Sequence, residues 1–181
     1  GILLTADSSG FWDIQAVYYG LGSRELGIVY TGVYVAMAAI SLLYTRIAKR
    51  KTLHAFLFQT SLGFGIATIL SALVGAFWGS VLLIVRSVFS VLFDMRLSVF
   101  FNNHIPSRVR ATTLSVISLI RGTPYILFAY TLGSMVDTVG ASPIAFWLGS
   151  VMVVITLAVP VIVGRISLLP EQSTEGSGNI L

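Results

Sequence analysis

The sequence predicts an all-α, polytopic transmembrane helix bundle with six spans. Of its 181 residues, 56% are hydrophobic and only 10% are charged, and the mean hydropathy is +0.92. Soluble domains carry about 25% charged residues, so this composition is not that of an ordinary water-soluble domain. Long apolar stretches alternate with short polar turns, and about 20 helical residues are enough to cross roughly 30 Å of hydrocarbon.

The first two predicted spans differ in polarity. The first, residues 1–20, carries polar side chains, and we interpret it as a cavity-lining helix because polar groups inside a membrane normally face a bundle interior or water. An interfacial segment outside the membrane is the alternative. The second span, residues 27–46, is clearly apolar and ends in the basic cluster RIAKRK.

The remaining four spans surround one short hinge. Residues 53–73 form the third span, and the fourth begins near Trp78 and continues for roughly 26 residues. In the hinge NNHIPSRVR, Pro106 stops the fourth helix because it lacks a backbone donor, and we expect Ser107 to cap the fifth. The fifth span begins at Ala111. Residues 143–164 form the sixth, which completes a bundle over 1–165, and 166–181 are predicted to be a flexible cytoplasmic tail.

The basic residues of the turns predict the orientation of the chain. Cytoplasmic loops of membrane proteins carry an excess of Lys and Arg. Seven such residues fall on one predicted face against Arg24 on the other, and they are Arg46, Lys49, Arg50, Lys51, Arg108, Arg110 and Arg165. The sequence therefore predicts a multi-pass protein of a cell (plasma or inner) membrane with a cytoplasmic C-terminus.

Composition and motifs favour neither an enzyme nor a nucleic-acid-binding protein. There is no cysteine, which excludes disulfides, thiolate zinc sites and thiol catalysis. The net charge of +4 is explained by orientation rather than by nucleic acid. No phosphate-binding glycine loop and no Gly-x-Ser-x-Gly elbow is present. His54 and His104 lie near the predicted cytoplasmic boundary, where water solvates them, so we expect neither a metal site nor a cofactor.

Polar residues within the spans are the candidates for function. A charge in mid-membrane costs roughly 2.5–3.5 kcal/mol on insertion scales, so each one needs a reason. The charges concentrate on helices one, four and five, and Arg96 alone lies close enough to the cytoplasmic end to reach water. We expect the substrate or coupling-ion pathway to be lined by Asp7, Asp13, Gln15, Arg86, Asp94, Arg121 and Tyr125. Small-residue helix packing is the alternative for the serines and glycines beside them.

Asp94 and Arg121 are predicted to face each other across the hinge. Asp94 lies about 12 residues before the hinge centre and Arg121 about 14 after it, so antiparallel helices place them within one turn of the same depth. We interpret the pair as a control of coupling, with protons as a candidate coupling ion.

The hinge also carries a family resemblance. The run IPSRVRATTLSV, a Gly-x-Pro within the next helix and then LGSMVDTVG resemble the tenth and eleventh helices of major facilitator superfamily transporters. The loop RIAKRK departs from that family, which often has glycine and aspartate there.

The resemblance implies that this chain is the C-terminal six-helix half of a secondary transporter in the lipid bilayer. It further implies a missing N-terminal half, a small-molecule substrate site near the midplane between the halves, and alternating access by rocking. Helices one, two, four and five would border the pathway, and three and six would lie outside it. A non-transporting membrane scaffold or partner subunit is the alternative, and an intramembrane enzyme is less favoured still.

The predicted orientation can be tested with single cysteines, since no native cysteine interferes. We expect Ser107→Cys to be protected from an impermeant thiol reagent in intact cells and Thr138→Cys to be labelled. Labelling of Ser107→Cys from outside would overturn the orientation.

Overall fold

The computed structural model describes residues 11–48 and 51–166, and their regular secondary structure is entirely α-helical. Six helices follow one another in this described part of the chain: α1 (Trp12–Tyr18), α2 (Ser23–Ala48), α3 (Leu53–Leu73), α4 (Ala76–His104), α5 (Arg110–Val139) and α6 (Ala141–Ile166). Each corresponds to one predicted span. Residues 1–10 of the first span and residues 167–181 of the predicted tail lie outside the described part of the chain.

Within the described residues, four helices are long and apolar enough to cross a membrane. They are α2, α3, Phe77–His104 of α4 and Ala141–Pro160 of α6. The described part of α1 has seven residues, and α5 is not among the four. The all-helical fold is therefore confirmed and four helices have the length and composition of membrane spans, whereas six spans stay a prediction.

The helix ends follow local chemistry, with one correction to the sequence prediction. Thr52 caps α3, its side chain accepting a hydrogen bond from the Ala55 amide. The prediction that Ser107 caps α5 is wrong, because residues 107–109 form a turn closed by the Val109 amide on the Pro106 carbonyl, and α5 begins only at Arg110. A single residue, Gly140, links α5 to α6 with φ +91°, a conformation that residues with a Cβ rarely adopt.

The core is built around α3, which packs against both α6 and α4. Phe64 of α3, Phe93 of α4 and Met152 of α6 form one buried cluster where these three helices meet. A second cluster attaches α2 to this centre through Tyr44 and Ala48, which pack with Phe56 and Leu92. In the third, Phe11 packs against Ile144 and Ala145 and so joins the start of α1 to α6.

Glycine permits the close approach of α3 and α6. A Cβ placed on Gly149 would lie 2.9 Å from the Gly65 carbonyl oxygen and 2.9 Å from the Ile69 amide nitrogen, so the two backbones nearly touch. Ala141 and Ala145, both fully buried, precede Gly149 at intervals of four residues on the same face of α6. This is the small-residue packing by which helices associate in lipid.

Two helices lie at the periphery of the described bundle. Only 11% of the most apolar 18-residue stretch of α2 is buried, against 39% of that of α3. On α5, large side chains such as Leu119 and Tyr130 are exposed. These apolar faces require lipid or another polypeptide to cover them.

The glycine contact predicts a difference between two glycine-to-alanine changes. Gly149→Ala should lower the melting temperature of the purified chain in detergent, because overpacking typically costs about 1–3 kcal/mol. We expect this cost to exceed the roughly 1 kcal/mol that alanine gains over glycine within a helix.

Gly133→Ala on α5 is the matched control, since a Cβ there meets nothing within 4 Å. Its melting temperature should equal or exceed that of the unmodified chain. A Gly149→Ala chain as stable as Gly133→Ala would show that the close contact does not limit packing.

Candidate functional site

Arg86 occupies the centre of a polar network inside the bundle. It lies on α4 and its side chain is only 2% exposed. Nη1 donates a hydrogen bond to Gln15 Oε1 at 2.6 Å and lies 3.4 Å from Ser71 Oγ, while the guanidinium carbon lies 5.7 Å from the centre of the Phe64 ring. A buried charge is tolerated only when hydrogen bonds and neighbouring groups replace its water. The network therefore holds α4 to α1 and α3.

Gln15 connects this network to the end of α1. The side chain is completely buried, and its Nε2 donates to the Tyr19 hydroxyl at 2.8 Å and to Ser71 Oγ at 3.1 Å. The Tyr19 hydroxyl donates in turn to the Ser71 carbonyl oxygen. Both ends of the amide are thus engaged, which fixes α1 against α3 in a single arrangement.

Asp13 lies on α1 but pairs with α2. The Tyr30 hydroxyl donates a hydrogen bond to Asp13 Oδ1, and both side chains are partly buried. This hydrogen bond attaches the N-terminal part of the loosely packed α2 to α1.

Asp94 and Arg121 form an ion pair between α4 and α5. Arg121 Nη2 lies 2.5 Å from Asp94 Oδ1, so the prediction that the two residues face each other is confirmed. The pair is not deeply buried, because 47% of the Asp94 side chain and 25% of the Arg121 side chain are exposed. An exposed pair in water contributes about 0–1 kcal/mol, and a site that excludes water strengthens the attraction.

The structure separates the predicted pathway residues into groups. Gln15 and Arg86 share one network, Asp94 and Arg121 share the ion pair, and Asp13 bonds to Tyr30. Arg86 and Asp94 are eight residues apart on α4, about 12 Å along its axis, so the network and the ion pair lie at different depths. Asp7 and the side chain of Tyr125 lie outside the described residues.

The sequence prediction missed four members of these groups: Tyr19, Tyr30, Phe64 and Ser71. Ser71 is the most informative of them, because the family resemblance implies that the third helix lies outside the pathway. The sequence did contain a signal for this helix, the spacing that places Thr60, Thr68 and Ser71 on one side of α3. All three side chains are buried in the structure. Each of these hydroxyls donates to a carbonyl three or four residues earlier, which satisfies it within the helix.

The basic turns lie where the sequence places them, at the ends of the helices. Arg46, Lys51 and Arg108 are exposed, and Arg110 donates to the Ile105 carbonyl. Arg96 extends towards this end of the bundle, where its Nη2 donates to the Lys51 carbonyl at 3.1 Å. Lys49 and Arg50 lie outside the described residues.

The polar groups described above make hydrogen bonds and ion pairs with one another. Over residues 11–48 and 51–166, no three His, Asp or Glu side chains gather closely enough to hold a metal ion. Comparison of the chain with protein-family models, curated proteins and solved structures gave no match.

The Arg86 network predicts a strong effect of removing its acceptor. Gln15→Leu keeps a similar volume but deletes the amide oxygen that faces the buried guanidinium. Hydrogen bonds to charged groups contribute about 1.5–3 kcal/mol, so we expect a clear fall in the melting temperature in detergent.

Gln59→Leu is the control, because Gln59 is exposed and accepts a hydrogen bond from the Lys51 ammonium at the bundle surface. We expect it to change stability by less than about 0.5 kcal/mol, as surface substitutions usually do. Equal melting temperatures for the two variants would mean that Gln15 does not stabilise Arg86.

Proposed function

We propose that this chain is the C-terminal six-helix half of a secondary transporter of the major facilitator type, which moves a small solute across a cell membrane by alternating access. The observation that carries the proposal is the Asp94–Arg121 ion pair, which joins two neighbouring helices of an apolar bundle. The resemblance of the hinge and of α5 to that family supports it independently.

The energetic cost of the polar groups favours a function that needs them. A bundle that only anchors or braces a membrane complex gains nothing from charges in its helices, each of which costs roughly 2.5–3.5 kcal/mol at mid-membrane. Arg86, Asp94 and Arg121 nevertheless lie well inside α4 and α5. A solute pathway explains them, because polar side chains can then face water or substrate instead of hydrocarbon.

The two polar groups suit different roles in such a pathway. Arg86 is fully enclosed and bonded to α1 and α3, so we assign it to holding those helices in a fixed arrangement. The Asp94–Arg121 pair is partly exposed and joins α4 to the loosely packed α5, so in a water-filled pathway it can open at modest cost. We therefore assign coupling to this pair: when it opens, the Asp94 carboxylate becomes available to a proton or another cation.

The proposal requires partners that complete the molecule. An N-terminal six-helix half would cover part of the exposed faces of α2 and α5, with the substrate site near the midplane between the halves. Lipid would cover the remainder. The peripheral position of both helices supports this arrangement.

The exposed face of α2 also favours a second candidate, a non-transporting scaffold or partner subunit. Large apolar side chains at positions such as Leu42, which is 82% exposed, suit a permanent partner as well as they suit lipid. The candidates differ in what they demand of the ion pair, because a scaffold needs it only for stability.

An exchange of charges tests the transporter proposal. In the full-length product of the gene, reconstituted into vesicles and screened for solute uptake, Asp94→Asn and Arg121→Ala should each lower uptake at least about tenfold, equivalent to about 1.4 kcal/mol. The double exchange Asp94→Arg with Arg121→Asp should recover insertion and melting temperature, because the attraction is rebuilt with reversed polarity.

Two controls accompany this experiment. Arg46→Ala removes an exposed charge at the end of α2 and should leave uptake unchanged. Vesicles that contain residues 1–181 alone should accumulate no solute, since half a pathway would be open to lipid. Uptake by 1–181 alone, or full activity of Arg121→Ala, would contradict the proposal.

A further inference from the structure

A cavity lies at the end of the bundle where α4 meets the start of α3, next to the basic turns. Its volume is about 280 Å³, and its walls are formed by Leu53, Arg96, Val99, Phe100, Asn103 and His104. Arg96 lies two residues beyond Asp94, on the other side of α4, so the cavity is separate from the Asp94–Arg121 pair. Neither the transport proposal nor the family resemblance uses it.

Arg96 is held in the cavity wall with hydrogen-bonding capacity to spare. Its Nη2 donates to the Lys51 carbonyl at 3.1 Å, and its guanidinium carbon lies 5.6 Å from the centre of the Phe56 ring. Its Nε is buried, so the donors left for a ligand are the Nη hydrogens that the Lys51 carbonyl does not engage. A guanidinium positioned in this way presents a planar set of donors that suits an oxyanion.

The remaining polar walls of the cavity favour the same class of ligand. Asn103 supplies an amide, and His104 is oriented by the 2.8 Å contact between its Nδ1 and the Phe100 carbonyl oxygen. None of the described residues that line the cavity is an Asp or Glu, which would repel an anion. Leu53, Val99 and Phe100 add apolar walls, and Val99 is exposed at the bundle surface.

We propose that this cavity binds the phosphate group of an anionic phospholipid, with Arg96 as its principal contact. Basic pockets between helices at the cytoplasmic boundary are suited to lipid headgroups, and about 280 Å³ accommodates a headgroup rather than a large solute. The apolar walls beside Arg96 favour a lipid over free phosphate, because an acyl chain has surface to follow there. The proposal does not depend on transport activity.

Two adjacent asparagines provide the test. The full 181-residue chain in uncharged detergent is titrated with phosphatidylglycerol, and lipid binding is read by native mass spectrometry. Asn103→Asp places a carboxylate in the cavity wall and should raise the Kd about tenfold. Asn102→Asp makes the same change one residue earlier, at an exposed position that does not line the cavity, and should alter the Kd by less than about twofold.

A second pair of variants addresses Arg96 directly. Arg96→Gln should weaken binding at least as much as Asn103→Asp, whereas Arg46→Gln, which removes the same charge from an exposed site, should have little effect. Because Asn103 is exposed and its replacement removes no packing, the asparagine pair remains informative if Arg96→Gln folds poorly. Equal losses in Asn102→Asp and Asn103→Asp would overturn the proposal in favour of a diffuse attraction to basic loops.

Two further titrations identify the source of the phosphate group. Phosphatidylcholine, which carries the same phosphodiester without net negative charge, should bind more weakly than phosphatidylglycerol. Inorganic phosphate at the lipid's own concentration should displace little of it. Complete displacement by inorganic phosphate would overturn the assignment to lipid and identify a site for soluble phosphate.

Discussion

The close contact of α3 with α6 is the constraint on which the other helices depend. Gly65 and Gly149 let the two backbones meet, and the flanking small residues extend the contact along α6. Once α3 is fixed, it presents Phe56 and Phe64 to α4, and Ser71 to both α4 and α1. Because lipid is as apolar as the side chains themselves, helices in a membrane gain their association from such fitting of surfaces and from hydrogen bonds. Both contributions meet on α3.

The two electrostatic groups differ in how freely they can rearrange. Breaking the Arg86 network would leave a guanidinium buried without Gln15 and Ser71, a cost of several kcal/mol for a charge that cannot reach water. Asp94 and Arg121 keep 47% and 25% of their side-chain surfaces outside the described bundle, so separating them does not strand a charge in a closed protein interior. The bundle therefore combines a contact that resists rearrangement, the Arg86 network, with one that permits it, the Asp94–Arg121 pair.

The helices and one tertiary contact, the Asp94–Arg121 pair, could be predicted from the sequence because they depend on local features of the chain. Hydrophobic length and turn residues are local, so the six helices and the hinge at Pro106 followed from them. The Asp94–Arg121 pairing could also be predicted, because a hairpin of known hinge position fixes the depth of both arms.

The network around Arg86 could be predicted only in part, because its partners Ser71 and Gln15 lie 15 and 71 positions away in the chain. Their meeting depends on how α3 docks, which no local pattern encodes, and Ser107 failed as a cap because the turn after Pro106 displaced the helix start.

The distribution of packing indicates which parts of the bundle are suited to move. The helices α3, α4 and α6 share a buried cluster and form the densest part of the described chain, whereas α5 contacts α6 lightly and meets α4 at the Asp94–Arg121 pair. Its connection to α6 is the single residue Gly140, whose backbone conformation sets where α6 begins. At its other end, the hinge joins it to α4. Movement of α5 about these two short connections would open the ion pair without disturbing the α3–α6 contact. The α4–α5 contact is therefore the part of the bundle that can rearrange at the lowest cost in packing.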